Sequence, residues 1–182
     1  MIRNGKALYL ARPVEPMLDH KQKLHGVSHG LAEAGYDIRI KQDIVFVPAG
    51  EYYSVPPFRS TQVADHDLIL VDGKVKKGRF TIASSVEQFF MPTDLVGLVK
   101  DKSTWARRGL SVFNTVIEPG WGRLAECFLT LELVYHGPDK LHIPAGCGIA
   151  QVLFEVLEET AVYDGKYRAQ PDRPVEAIHE KD

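Results

Sequence analysis

The chain reads as a mostly β protein, a sandwich or barrel with one or two short helices. Three observations carry this reading. Short runs rich in Val, Ile, Leu, Phe and Tyr recur along most of the 182 residues. Gly, Pro and Asp punctuate them, and helix signals are few. A ladder of short strands with turn residues between them favours a sandwich or barrel over a βαβ architecture.

Strands are expected near 6–11, 36–40, 43–47, 51–55, 67–71, 79–83, 86–90, 110–113, 126–134 and 149–157. The turn residues Pro56-Pro57, Asp72-Gly73, Pro119-Gly120, Gly137-Pro138 and Pro144 to Gly148 separate several of them. A helix is expected within 14–34. A second, of one or two turns, is bracketed by Ser103-Thr104 as N-cap and Gly109 at its end. Asp72 to Arg79, with Lys74, Lys76 and Lys77, reads as an exposed basic hairpin. From Tyr163 onward apolar periodicity fades, and a mobile arm is expected. Residues 1–170 are read as one β domain with an atypical segment at 1–33, and 171–182 as an acidic tail.

Composition narrows the function classes. A chain of this length builds a core without staples. The formal net charge is −2, and the tail after Pro171 accounts for it. The body is therefore neutral, which argues against a protein that binds long nucleic acid. Two cysteines, Cys127 and Cys147, exclude a disulfide framework, and no CxxC, HExxH or HxE zinc pattern occurs. The apolar run Ala7 to Ala11 is too short to cross a membrane. A cytoplasmic protein without membrane attachment is the expectation.

Four features carry chemistry. Lys102-Ser103-Thr104 with Arg107 is either a phosphate cradle at a helix start or a plain cap with solvated cations. In Leu129-Thr130-Leu131-Glu132-Leu133 the leucines share one face and Thr130 and Glu132 the other. That second face is either solvent or a cavity; a cavity would lift the Glu132 pKa into the range useful for proton shuttling. Ile117-Glu118-Pro119-Gly120-Trp121 is a turn with an acid and an aromatic. Tyr163 to Gln170 offers two rings, Lys166 and Gln170, on either a functional arm or a disordered tail.

The order of these strings resembles the dCTP deaminase family of the dUTPase-like superfamily. The resemblance rests on Ser103-Thr104-Trp105-Ala106-Arg107-Arg108-Gly109-Leu110, Glu118-Pro119-Gly120-Trp121, Leu129 to Leu133, Pro144-Ala145-Gly146 with Ile149-Ala150-Gln151, and Gly165-Lys166-Tyr167 with Gln170. Upstream, Ala34-Gly35-Tyr36-Asp37-Ile38-Arg39 is similar to the family's early Tyr-Asp-Leu-Arg strand. The resemblance implies a distorted β-barrel or jelly-roll subunit in a homotrimer, with active sites between subunits. It implies hydrolytic deamination of dCTP to dUTP and ammonia without zinc, with magnesium carried by the triphosphate. Glu132 matches the proton-shuttling acid, and Ser103 and Arg107 match the residues that hold water, acid and base. Lys102, Ser103 and Thr104 match the phosphate string, and Glu118 the acid beside the deoxyribose. Gln151 falls in a matched string and joins the nucleotide-binding set. Tyr163, Lys166 and Gln170 match tail residues that fold over the triphosphate. Residues 1–33, 122–128 and the basic hairpin depart from the family pattern.

Two competing readings remain at this level. A dUTP diphosphatase, or an enzyme performing both steps, has a similar fold and phosphate site, but this tail lacks a Gly-rich arm. A non-catalytic nucleotide-binding β-sandwich protein is the other, and retention of Ser103, Arg107 and Glu132 together argues against it.

Overall fold

The computed structural model of the chain describes residues 1–54 and 61–180, with the side chains of 52–54 and 61–63 left aside; the Pro56-Pro57 turn lies outside the described residues. The order opens with β1 (Ile2–Arg3), α1 (Gly5–Ala11), β2 (Val14–Glu15), β3 (Lys21–Leu24), β4 (Val27–Leu31), β5 (Tyr36–Arg39) and β6 (Ile44–Val47). It continues with β7 (Tyr52–Ser54), β8 (Thr61–Val63), β9 (Leu68–Val71), β10 (Lys74–Lys77), β11 (Phe80–Phe89) and β12 (Leu95–Asp101). It ends with α2 (Ser103–Ala106), β13 (Leu110–Val112), β14 (Val116–Ile117), β15 (Phe128–Tyr135), β16 (Leu141–Ile143) and β17 (Gly148–Val156).

The fold is mostly β, distorted and not a closed barrel. Strand β17 is the hub of the largest sheet, in the order β14-β12-β17-β5-β4-β3, with β1 also paired to β17. A second sheet runs β13-β15-β11-β2 and a third β10-β9-β6-β16. The main core draws side chains from all three. Ile149, Val152 and Phe154 from β17 are fully buried, and Leu131 and Leu133 from β15 are all but so. Removing these side chains from water supplies the main drive for closing the sheets on each other.

One irregular strand joins the sheets. The pairing of β11 with β15 shifts between Ser84 and Gln88, so the intervening residues bulge towards β5. There Ile40 bridges to Ser85. Glu87, fully buried, accepts the Arg39 backbone N–H and its Nε–H, both at 2.8 Å. Burial pushes the Glu87 carboxyl up, and the two Arg39 bonds oppose that. Ser85 Oγ accepts the Leu129 N–H at 2.9 Å and donates to the Glu87 carbonyl at 2.7 Å. The bulge thus fixes the register of β15 at its start.

Several expectations are corrected. The strand expected at 6–11 is helix α1: Ala and Leu are strong helix formers, and only Leu8 of the Ala7–Ala11 run is fully buried. The helix expected within 14–34 is β2 followed by the β3–β4 hairpin, whose two-residue turn is His25-Gly26. Strands expected at 79–83 and 86–90 are the single bulged β11. Ser103 and Thr104 do not cap α2; Lys102 holds the N-cap position without a side-chain bond, and both hydroxyl residues sit in the first turn. The arm from Tyr163 is docked. Trp121 Nε1–H donates to the Tyr167 carbonyl at 2.7 Å, and Gln170 is buried. Strands β1, β8, β12, β14 and β16 were not anticipated.

The loop into β15 offers a stability test. Gly122 has φ +80°, and a Cβ there would run into the Phe89 carbonyl and crowd Cys127. Gly73, in the exposed β9–β10 turn, has φ +76° and open space. We expect Gly122→Ala to cost about 1–3 kcal/mol from overpacking on top of the roughly 1 kcal/mol left-handed penalty, and Gly73→Ala only the latter. Urea denaturation of both variants checks the difference; equal losses would contradict the close approach.

Candidate functional site

Strand β15 sets the site. Its residues Leu129, Leu131, Leu133 and Tyr135 face the core. The strand is held on one side by β11 along most of its length and on the other by β13 only from Leu133 to Tyr135. Thr130 and Glu132 therefore face away from the core. That face is a cavity of about 390 Å³, open at one side, whose walls include Ile82, Glu118, Trp121, Tyr163, Tyr167 and Gln170. Of the alternatives for Glu132, the structure selects the cavity.

The electrostatics of Glu132 follow from its walls. Burial raises its pKa, and its own backbone N–H opposes this weakly. Among the described residues, no cation stands within ion-pair distance of its carboxylate. An uncompensated, partly desolvated carboxylate is a proton acceptor at a pH closer to neutrality than an ordinary Glu.

The C-terminal arm closes one side. Gln170 pairs with β15 as a short parallel bridge at Cys127, with its carbonyl accepting the Phe128 N–H at 2.9 Å. Its side-chain Oε1 accepts the Thr130 N–H at 3.1 Å and the Thr130 hydroxyl at 2.8 Å. Beyond it, Val175, Glu176 and Ala177 also line the cavity.

The expected residues fall into two groups. Glu132, Glu118, Tyr163 and Gln170 meet at the cavity. Lys166 is on the same arm but exposed, its Nζ over the Tyr167 ring at 5.5 Å. The other group sits around α2. Ser103, Thr104 and Arg107 are exposed there. Lys102 is buried, its Nζ donating to Asp37 Oδ2 at 2.5 Å. Asp37 also accepts from Ser28 Oγ and from Gln151 Nε2, both at 3.3 Å. Lys102 and Gln151 are thus joined through one buried carboxylate at the foot of α2. No ion pair involves Arg107 among the described residues, and the arrangement does not bring it to Glu132 within one chain.

Sequence reasoning missed three contributors. Asp37 entered only as part of a matched string, and its partner lies 65 positions away. Thr130 shares the face of Glu132 by strand alternation, which was a usable signal. Residues 175–177 carry no pattern that foretells a wall.

Comparisons with known proteins identify the family. The family model described as dCTP deaminase-like matches residues 17–157. The dCTP deaminase of Chlamydia trachomatis serovar D (strain ATCC VR-885 / DSM 19411 / UW-3/Cx) is 34% identical over 170 residues, covering 86% of each chain. That of Campylobacter jejuni (strain RM1221) is 35% identical over 166 residues, covering 86% of this chain and 85% of its own. The crystal structure of 2'-deoxycytidine 5'-triphosphate deaminase from Agrobacterium tumefaciens shares the fold, with TM-score 0.53 and 20% identity. It covers 85% of this chain, which spans about half, 47%, of that longer one. The chain belongs to the dCTP deaminase-like family.

Proposed function

We propose that the protein is a dCTP deaminase whose general base is Glu132. The single observation that carries the assignment of the base is its carboxylate, desolvated in the cavity with no cation beside it among the described residues. The reaction is dCTP plus water giving dUTP plus ammonia. The Glu132 carboxylate takes a proton from the water as its oxygen attacks C4 of cytosine. It then hands that proton to the amine as the C4–N bond breaks, so the carboxylate is regenerated. In this reading the carboxylate, not a zinc-bound hydroxide, activates the water. Magnesium arrives on the triphosphate as part of the substrate.

The roles for the rest of the nucleotide follow the family resemblance. Glu118 at the cavity rim takes the deoxyribose. Tyr163, Lys166 and Gln170 on the arm approach the phosphates. Ser103 and Arg107 serve the reacting centre and Lys102, Ser103 and Thr104 the phosphates, with Gln151 and Asp37 behind Lys102. Because Ser103, Thr104 and Arg107 are exposed and Arg107 is not brought to Glu132 within one chain, a second copy of the chain supplies the α2 group. The exposed Phe80, Phe113 and Val116 beside the cavity are the apolar surface such a neighbour would cover. A homotrimer closes such heterologous contacts into a ring. Among the described residues no helix is long and apolar enough to cross a membrane, and a cytoplasmic location is part of this proposal.

Five measurements test the reading. Protein incubated with dCTP and magnesium should release ammonia and dUTP; pyrophosphate without ammonia would overturn the activity. Glu132→Gln keeps the shape, loses the proton acceptor, and should lower turnover by about 10²–10⁴-fold while nucleotide still binds. The acid limb of the parent's rate profile should lie above the ordinary Glu value of about 4.3. The linkage has a definite sign: a carboxyl whose folded-state pKa is raised destabilises the fold when ionised, so at neutral pH Glu132→Gln should leave stability unchanged or higher. Near-parental deamination by Glu132→Gln would remove the residue from the chemistry. Light scattering should give three chains of 20.4 kDa, about 61 kDa; a fully active monomer would contradict the shared site.

A further inference from the structure

The Thr130 hydroxyl has a role that the chemistry above does not use. It lies two residues from Glu132, on the same face of β15, and is buried. Its Oγ1 donates to Gln170 Oε1 at 2.8 Å and accepts the Val175 N–H at 3.1 Å. One side chain therefore grips the C-terminal segment at two points five residues apart in sequence. The rest of the segment is held less deeply. Ile178 N–H donates to the Tyr167 hydroxyl at 3.0 Å, and Asp172 pairs with Lys41 near the surface. Between these holds, Val175, Glu176 and Ala177 form a wall of the cavity. Among the described residues, the segment's backbone otherwise joins no strand beyond the bridge at Gln170.

We propose that Thr130 is a positioning residue, a latch that holds residues 170–178 against β15 as the closing wall of the Glu132 cavity. This rests on the reading of the cavity as the deaminase site. A wall held there keeps water off the reacting end and supplies contact for the nucleotide. The hydroxyl is what matters. Gln170 still accepts the Thr130 backbone N–H whatever the side chain, so losing Oγ1 frees Val175 first.

Thr130→Val is close in shape, suits a strand and removes both side-chain bonds. Thr130→Ser keeps the hydroxyl. In the full-length protein, amide hydrogen exchange over 171–178 should quicken in Thr130→Val and stay parental in Thr130→Ser. With dCTP, KM should rise about tenfold in Thr130→Val, from the loss of one to two hydrogen bonds, with kcat changed far less, and Thr130→Ser should restore it. Val175→Pro deletes the donor from the other side without touching β15, and should reproduce the faster exchange and the KM rise. Parental exchange and parental KM in both Thr130→Val and Val175→Pro would overturn the latch. Faster exchange in a protein that releases no ammonia from dCTP would keep the latch and defeat the activity instead.

Discussion

Strand alternation in β15 is the constraint on which the rest depends. Leu129, Leu131 and Leu133 go into the core because burying them is the strongest term available to this stretch. A strand has a period of two, so Thr130 and Glu132 are forced to the opposite face. A slip of one residue would bury Glu132 and expose three leucines. The bulge in β11 guards against it, since the Ser85 hydroxyl takes the Leu129 N–H and the Arg39–Glu87 pair holds the bulge from the other sheet. A buried ion pair adds little net stability when compared with apolar packing, but breaking it leaves a stranded charge. Its consequence here is register, and register decides where the carboxylate points.

Among the described residues of one chain, Glu132 stands in the cavity without a cation beside it. A cavity wall of Ile82, Trp121 and Tyr163 desolvates Glu132 and keeps it basic. The α2 group is arranged the other way. Lys102 is sunk onto Asp37, while Ser103 and Arg107 face outward. In the proposed assembly Arg107 comes from a neighbouring copy, where it would orient the carboxylate.

Much of this was legible and some was not. The alternation from Leu129 to Leu133 was readable as a local periodicity, and the short helix at Ser103 from the residues that bracket it. The N-terminal third was misread for a physical reason. Its apolar run is too short to distinguish helix from strand, and β3, with all four residues exposed, carries no hydrophobic signal. Strand β12 was passed over although it is apolar; Gly97 interrupts the run, and in the fold it lies directly against Ile117. The docked arm was unreadable. Its decisive contact joins Gln170 to Thr130 across 40 positions, through one amide and one hydroxyl. No period or composition encodes such a contact.

In the proposed enzyme Glu132 of one copy works with Arg107 of another. Subunit mixing tests it most directly. Glu132→Gln and Arg107→Ala proteins, each nearly inactive alone, are unfolded together in equal amounts and allowed to reassemble. In random trimers, one site in four joins an intact Glu132 to an intact Arg107, so activity should return to about a quarter of the parent's. A mixture that stays as inactive as its components would contradict the account.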